Sequence, residues 1–330
     1  MTFEELYRTM LKQAVEKGSV QADDLEASAG HLDCLLHPQD HPLVWPLNPC
    51  TCPKEETHCA AACLFDAIVR RDDGTLAVDP DRCSGCGACI QACQSGNLTA
   101  SRDVLPALDA VKHAKGPVYA LIAPAFLGQF STVVTPGRLR SAFKLLGFTG
   151  MVEVALFADL LTLKEALEFD RNIHTETDFQ LTSCCCPMWI GMIRKLYHEL
   201  MPHVPGAVSP MIAAGRTVKK LHPDAVTIFV GPCIAKKAEA READLAGAVD
   251  YVLTFQEMQD IFQAADIHPE LLEESERMNW DPHPAPRFAP DMKYIHGQDN
   301  REIRVYHTLD SRLTMEDFYA KLALNFGGKY

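Results

Sequence analysis

A chain of 330 residues with 47% hydrophobic and 23% charged side chains can bury the cores of about two ordinary domains, which excludes a disordered protein. Its net charge of −13 comes without a Lys/Arg block, which excludes a phosphate-neutralising nucleic-acid face. No apolar run approaches the roughly 20 residues of a membrane-spanning helix, and the N-terminus lacks a signal peptide's apolar centre. A cytoplasmic protein with neither nucleic-acid nor membrane partner is expected.

In chain order, residues 1–18 read as an amphipathic helix of mixed charge, followed by a Pro- and His-rich connector (HPQDHPLVWPLNP) expected to be irregular. Residues 50–100 are cysteine-dense and poor in long apolar runs, so metal must stand in for a core there. From about residue 104 strand and helix signals alternate. Apolar runs at Val118–Ala123, Met151–Phe157, Val226–Val230 and Tyr251–Leu253 predict strands. Gly137–Leu146, Leu160–Phe169 and Met188–Leu200 predict helices. That order is the βαβ pattern of a mostly parallel sheet. Residues 271–300 are Pro- and charge-rich, Ile303–Tyr306 reads as a last strand, and a helix is expected from near Met315.

Thirteen cysteines decide the chemistry, and eleven of them fall into three clusters. Cys83-x2-Cys86-x2-Cys89-x3-Cys93 has the bacterial ferredoxin spacing for a [4Fe–4S] cluster. Gly85 and Gly87 let backbone amides of that loop turn toward inorganic sulfide. Upstream lie Cys50, Cys52, Cys59 and Cys63, in a set whose second half resembles the other half of a dicluster ferredoxin. Its first half departs from that pattern, with Cys50-x-Cys52 where two residues usually intervene. Carried over by position, the resemblance assigns Cys83, Cys86, Cys89 and Cys63 to one cluster. It assigns Cys50, Cys52, Cys59 and Cys93 to the other. Paired zinc knuckles are the alternative, but three cysteines within seven residues suit a cubane better.

Further on come Leu181-Thr182-Ser183-Cys184-Cys185-Cys186-Pro187-Met188-Trp189 and Val230-Gly231-Pro232-Cys233-Ile234-Ala235-Lys236-Lys237-Ala238-Glu239. These resemble the first two signature loops of iron-only ([FeFe]) hydrogenases, TSCCPxW and MPCxxKxxE. Ala120–Pro124, Leu146–Phe148, Ala158–Leu160 and Asp250–Thr254 agree with the same family in order and position. The resemblance spans about 50–265. It implies an α/β fold: a dicluster ferredoxin-like module followed by a partial [FeFe]-hydrogenase-like domain with a mostly parallel sheet. The expected divisions are 1–49 (helix and connector), 50–103 (ferredoxin-like), 104–270 (hydrogenase-like) and 271–330 (C-terminal extension).

The family's two loops hold the cubane of its H-cluster, which implies a third iron–sulfur site at Cys184, Cys185, Cys186 and Cys233. Its third loop, a C-x3-C segment supplying the remaining ligands, has no counterpart here, because no cysteine follows Cys233. The third cluster is therefore left open between [4Fe–4S] and something larger, with Cys34, flanked by His31, His37 and His41, a further candidate ligand. Cys34 reads alternatively as a small buried hydrophobe. Gly231, where the family has methionine, is expected to open space beside the site. By the same resemblance Lys236 falls where a lysine faces the two-iron subsite. Glu165 and Glu168 fall on the proton-relay glutamates, and Pro205 lies near the place of the relay serine. Lys236 reads alternatively as a cluster-neutralising surface lysine, and the glutamates as an ordinary exposed pair.

The expected function is that of a hydrogenase-related redox protein and possible oxidoreductase, without ordinary H2 activity. Two [4Fe–4S] clusters would exchange electrons with the third site, and the partner would be a ferredoxin or hydrogenase-type complex. The alternatives are an electron-transfer or sensory accessory subunit, and a hydrogenase completed by a partner chain.

Overall fold

The computed structural model describes residues 1–22, 25–50, 52–53, 57–71, 75–181 and 185–275, with two-residue strands at Ile295–His296 and Glu302–Ile303. Cys184, the rest of the expected strand at Ile303–Tyr306 and the helix expected near Met315 lie outside the described residues.

A capping box between Thr2 and Glu5 starts α1 (Phe3–Lys17), and Gly18, at φ 78°, ends it. Phe3, Leu6, Tyr7, Met10, Leu11 and Ala14 form its buried stripe, packed on two helices of the larger unit, α5 and α11, described below. The ring of Tyr7 lies 4.1 Å under the Arg102 guanidinium and its hydroxyl donates to Asp260 at 3.2 Å. After α2 (Ala29–Leu36) the connector proves more regular than expected. Pro38–Asp40 form a 3₁₀ turn, and β1 (Val44–Pro46) pairs antiparallel with β4 (Leu98–Ala100), Trp45 opposite Thr99.

Between those two strands lie α3 (His58–Ala61), β2 (Ile68–Arg70), β3 (Leu76–Val78) and α4 (Ala88–Ala92), with β2 and β3 paired antiparallel and α3 against α4. The two halves repeat one local device. Ala67 N donates to Cys63 Sγ and Asn97 N to Cys93 Sγ, both at 3.3 Å. A left-handed residue makes each turn, Asp66 at φ 48° and Gly96 at φ 63°. Elements of three to five residues cannot enclose much apolar surface, and buried Cys59 and Cys89 sit in this small core with Val44, Leu76, Val78 and Leu98.

The larger unit begins with α5 (Val104–His113) and is built on a four-stranded, wholly parallel sheet of order β6-β5-β7-β8. Its strands are β5 (Val118–Ile122), β6 (Gly150–Glu153), β7 (Val226–Gly231) and β8 (Tyr251–Thr254). β5 is buried throughout, as a central strand covered on both faces should be. The sheet is joined and covered by α6 (Pro136–Leu146), α7 (Ala155–Asn172), α8 (Pro187–Leu196), α9 (Pro210–Leu221), α10 (Ala235–Arg241) and α11 (Phe255–Ala264). The strand expected at Met151–Phe157 stops at Glu153, because α7 begins at Ala155; the apolar run passes unbroken from strand into helix. The helix expected at Met188–Leu200 ends at Leu196 and continues as a 3₁₀ stretch, His198–His203, that contains Pro202. Among the described residues no helix is long and apolar enough to cross a membrane.

One buried ion pair ties α10 to the first turn of α11. Lys237, 1% exposed, donates to both carboxylate oxygens of Glu257 at 2.8 and 3.0 Å, while Glu257 also accepts from Thr254 N at 2.7 Å. Lys237→Met strands that carboxylate in the core and is expected to lower unfolding free energy by about 3–5 kcal/mol in anaerobic urea titration. A loss below about 1 kcal/mol would show that the pair does not brace α10.

Candidate metal centres

The eight cysteines of the small unit gather into two groups of four. Cys50, Cys52, Cys59 and Cys93 line one pocket with His58, Leu76 and Asn97. In the other group Cys63 and Cys86 act electrostatically on Cys83, and Cys63, Cys83 and Cys86 on Cys89. Burial first, then neighbouring thiolates, pushes the Cys89 thiol up to about 12. Burial, then the charges of Cys93 and Cys50, raises Cys59. Cys93 moves the other way: burial opposes its ionisation, but the Ser95 hydroxyl and the amides of Asn97, Leu98 and Ser95 outweigh it. Buried thiols such as Cys59 and Cys89 resist ionising alone and become thiolates when a cation takes their charge, which is the condition that iron in a cubane meets.

Two orphaned polar atoms belong to these groups. Ser84 Oγ, next to Cys83, is buried without a hydrogen-bond partner. Arg70 Nη2 donates to Cys52 O at 3.1 Å and lies 3.5 Å from Cys50 Sγ, leaving Arg70 Nε buried and unpartnered. An anionic cluster with surface sulfides suits both donors.

The second-loop cysteine lies at the carboxyl end of a strand, as expected: β7 ends at Gly231, and Cys233 sits in the turn before α10. Gly231 does not open a space there, because a Cβ at this position would collide with the ring of Phe229, which fills it. Cys186 is the exposed N-cap of α8, where the helix dipole favours negative charge. Cys185 is partly buried just before it. Lys236 joins the two loops: its amide donates to Cys233 O at 3.2 Å, and its Nζ donates to Cys185 O at 2.9 Å and Glu239 Oε2 at 2.7 Å. Its side chain is only 11% exposed.

The small unit abuts this turn. Gly85, at φ 70°, would place a Cβ 3.1 Å from Ala235 Cα, and one at Gly87 would lie 3.4 Å from Ile234 Cδ1. At Gly85 the left-handed turn and the tight approach both favour glycine; at Gly87 the left-handed backbone does. On the facing helix, Gly191 lies over Ser84, and Lys195 Nζ donates to Arg82 O at 3.1 Å and Cys83 O at 3.3 Å.

Glu165 is buried on α7. Glu168, one turn on, accepts from Gly206 N through Oε1 at 3.1 Å, while its Oε2 is buried without a hydrogen bond. Neither is the ordinary exposed glutamate of the alternative reading. Cys34 is buried in α2, its thiol raised to about 11 by burial and then by Asp33. Two of its flanking histidines are engaged elsewhere, His31 with Leu47 O and His41 with Asp33.

Residues 116–289, more than half of the chain, match the family described as iron only hydrogenase large subunit, C-terminal domain. The chain belongs to that family. Residues 76–99 also match the 4Fe-4S binding domain, so iron–sulfur clusters and electron transfer follow at that level. Among curated relatives, iron hydrogenase 1 of Clostridium pasteurianum is 30% identical over 171 residues, covering 48% of this chain and 30% of the relative. The NADP-reducing hydrogenase subunit HndD of Solidesulfovibrio fructosivorans is 24% identical over 210 residues, covering 56% and 36%. The matched region thus spans about a third of the curated relatives' length. A solved chain of [FeFe]-hydrogenase HydA1 from Chlamydomonas reinhardtii is 27% identical with a TM-score of 0.50, covering 54% of this chain and 51% of that one.

Sequence reasoning passed over Ser84 and Lys195, whose contacts come from packing between segments over 100 residues apart, and it used Asp159 only as part of a resemblance. Burial raises the Asp159 carboxyl from 3.8 to about 6. A raised acid favours folding only while protonated, so its contribution is lost as pH rises through about 4 to 6. Asp159→Asn is therefore expected to match the parent's stability below pH 4 and exceed it by about 1–3 kcal/mol above pH 6, after discount for partial exposure. Unfolding midpoints of the two proteins at pH 4 and pH 7 check this, and an equal difference at both pH values counts against it.

Proposed function

We propose that the chain relays electrons between two ferredoxin-type [4Fe–4S] clusters and a third, unusual iron–sulfur site, without ordinary H2 turnover by these residues alone. Residues 50–103 form the ferredoxin-like unit, 104–270 the hydrogenase-like unit, and 1–49 and 271–330 the flanking segments. Cys50, Cys52, Cys59 and Cys93 hold one cluster; Cys63, Cys83, Cys86 and Cys89 hold the next. The third site draws on Cys184, Cys185, Cys186 and Cys233, with Cys34 outside the set. Such clusters supply one-electron storage at potentials tuned by hydrogen bonds, charge and burial.

The observation that carries this reading is the packing of Gly85 and Gly87 on Ala235 and Ile234, the residues that follow Cys233. It supports an order in which electrons pass from the Cys50 group through the Cys83 group at the seam to the Cys233 turn. Lys236 holds the Cys185 and Cys233 loops together and offsets thiolate charge. No cysteine follows Cys233 among these residues, and Glu168 meets a backbone amide beside Pro205 rather than a hydroxyl. Both features support electron storage or reduction of an unidentified substrate over hydrogen chemistry. The likeness to a hydrogenase subunit supports a second reading, in which the relay serves a larger redox complex and a ferredoxin or hydrogenase-type partner.

Anaerobic iron and sulfide counting tests the proposal. The parent should hold more than the roughly eight irons of two cubanes, about twelve if the third site is a cubane and more if it is larger. Cys233→Ser should lose the excess and keep about eight. A parent with only eight irons, or a Cys233→Ser variant with an undiminished count, sinks the third site.

A further inference from the structure

Helix α10 carries contacts to three parts of the molecule within seven residues. Its first turn follows Cys233 and touches Gly85, and its third residue, Lys237, is locked to Glu257. Its last residue, Arg241, reaches across to the small unit. Arg241 Nη1 donates to His41 O at 3.1 Å. Nη2 points at Pro38 O at 3.1 Å, Ser101 Oγ at 3.0 Å and Asp103 Oδ1 at 3.3 Å.

Those acceptors are themselves fixed. Ser101 Oγ donates to Pro38 O at 3.2 Å and Ser101 N to Leu43 O at 2.8 Å, so the connector and the residue after β4 are already joined. Asp103 is almost wholly buried, and its Oδ2 accepts from Val252 N in β8 at 3.2 Å. One guanidinium thus ties the connector, the exit from the ferredoxin-like unit and the edge strand of the parallel sheet. The planar fork of arginine can reach several acceptors at once, which an ammonium cannot do from one point.

Building on the electron relay proposed above, we infer that Arg241 is a positioning residue for electron transfer. It anchors the far end of α10 to the ferredoxin-like unit and so fixes the separation between the Cys83–Cys89 loop and the Cys233 turn. The glycine contacts at the near end are van der Waals contacts and resist separation weakly. The charged clamp at the other end holds the helix from sliding or lifting. Electron exchange between centres falls steeply with distance, so slack at this seam reads out as lost coupling rather than lost cofactor.

The test uses the full chain, loaded anaerobically, as the parent, Arg241→Met and Arg241→Lys. Iron content is counted, amide hydrogen exchange is followed at 38–43, 83–87 and 235–241, and EPR of the dithionite-reduced protein reports magnetic interaction between clusters. Arg241→Met should keep its iron, exchange faster at these three segments, and lose the splitting that arises across the seam. Arg241→Lys should recover part of both. Unchanged exchange in Arg241→Met shows that the clamp does not hold the seam. Faster exchange with undiminished splitting shows a merely structural residue, and either result overturns the inference. A parent with only about eight irons is a different failure: it removes the third site, and with it the separation that Arg241 is said to fix.

Discussion

The close approach of the Cys83–Cys89 loop to the first turn of α10 is the constraint around which the molecule is arranged. A Cβ at position 85 would press on the Ala235 backbone and one at 87 would touch the tip of Ile234, while both residues hold a left-handed backbone that favours glycine. The same glycines free the backbone amides to face the thiol group on the loop's inner side. Two demands, room for a neighbouring helix and a hydrogen bond to the Cys83 sulfur, thus fall together on Gly85. The larger unit answers with small residues of its own, Gly191 over Ser84 and Ala235 at the contact.

The small unit depends on chemistry more than on packing. Its strands are three residues long and its helices four or five, and its core holds cysteines where a larger domain would have leucines. Thiols made reluctant to ionise by burial and by one another are poor structural elements when empty. The same arrangement becomes favourable when cationic iron takes the charge, so binding free energy supplies folding free energy. The larger unit needs no such help, since β5 and β7 lie in one continuous apolar core that reaches from α1 to α11.

What the sequence disclosed followed from how local each signal is. Cysteine spacing is a local property, so the loop at Cys83–Cys93 and the family motifs around Cys186 and Cys233 were readable directly. The parallel strands were readable because a doubly covered strand is apolar throughout. The start of α7 was hidden, because the run from Met151 to Phe157 stays apolar and Val154 offers no side-chain cap. The pairing of β1 with β4 was hidden by its prolines and by a partner more than fifty residues away. Arg241 was invisible for the same reason in stronger form: its acceptors lie 138 to 203 residues from it.

The lysines of α10 show how neighbouring residues of one type take different tasks. Lys236 and Lys237 are adjacent, so a helix turns them about 100° apart. Lys237 faces the first turn of α11 and spends its charge on Glu257, whereas Lys236 faces the Cys185 loop and shares its charge between a carbonyl and Glu239. Lys236 Nζ therefore keeps one donor beyond its two hydrogen bonds, beside a loop of cysteines. A lysine already held at both ends is better placed to fix loop geometry and offset negative charge than to swing toward a substrate. On the α7 side the same economy holds, with one oxygen of Glu168 bound to Gly206 N and the other buried without a partner.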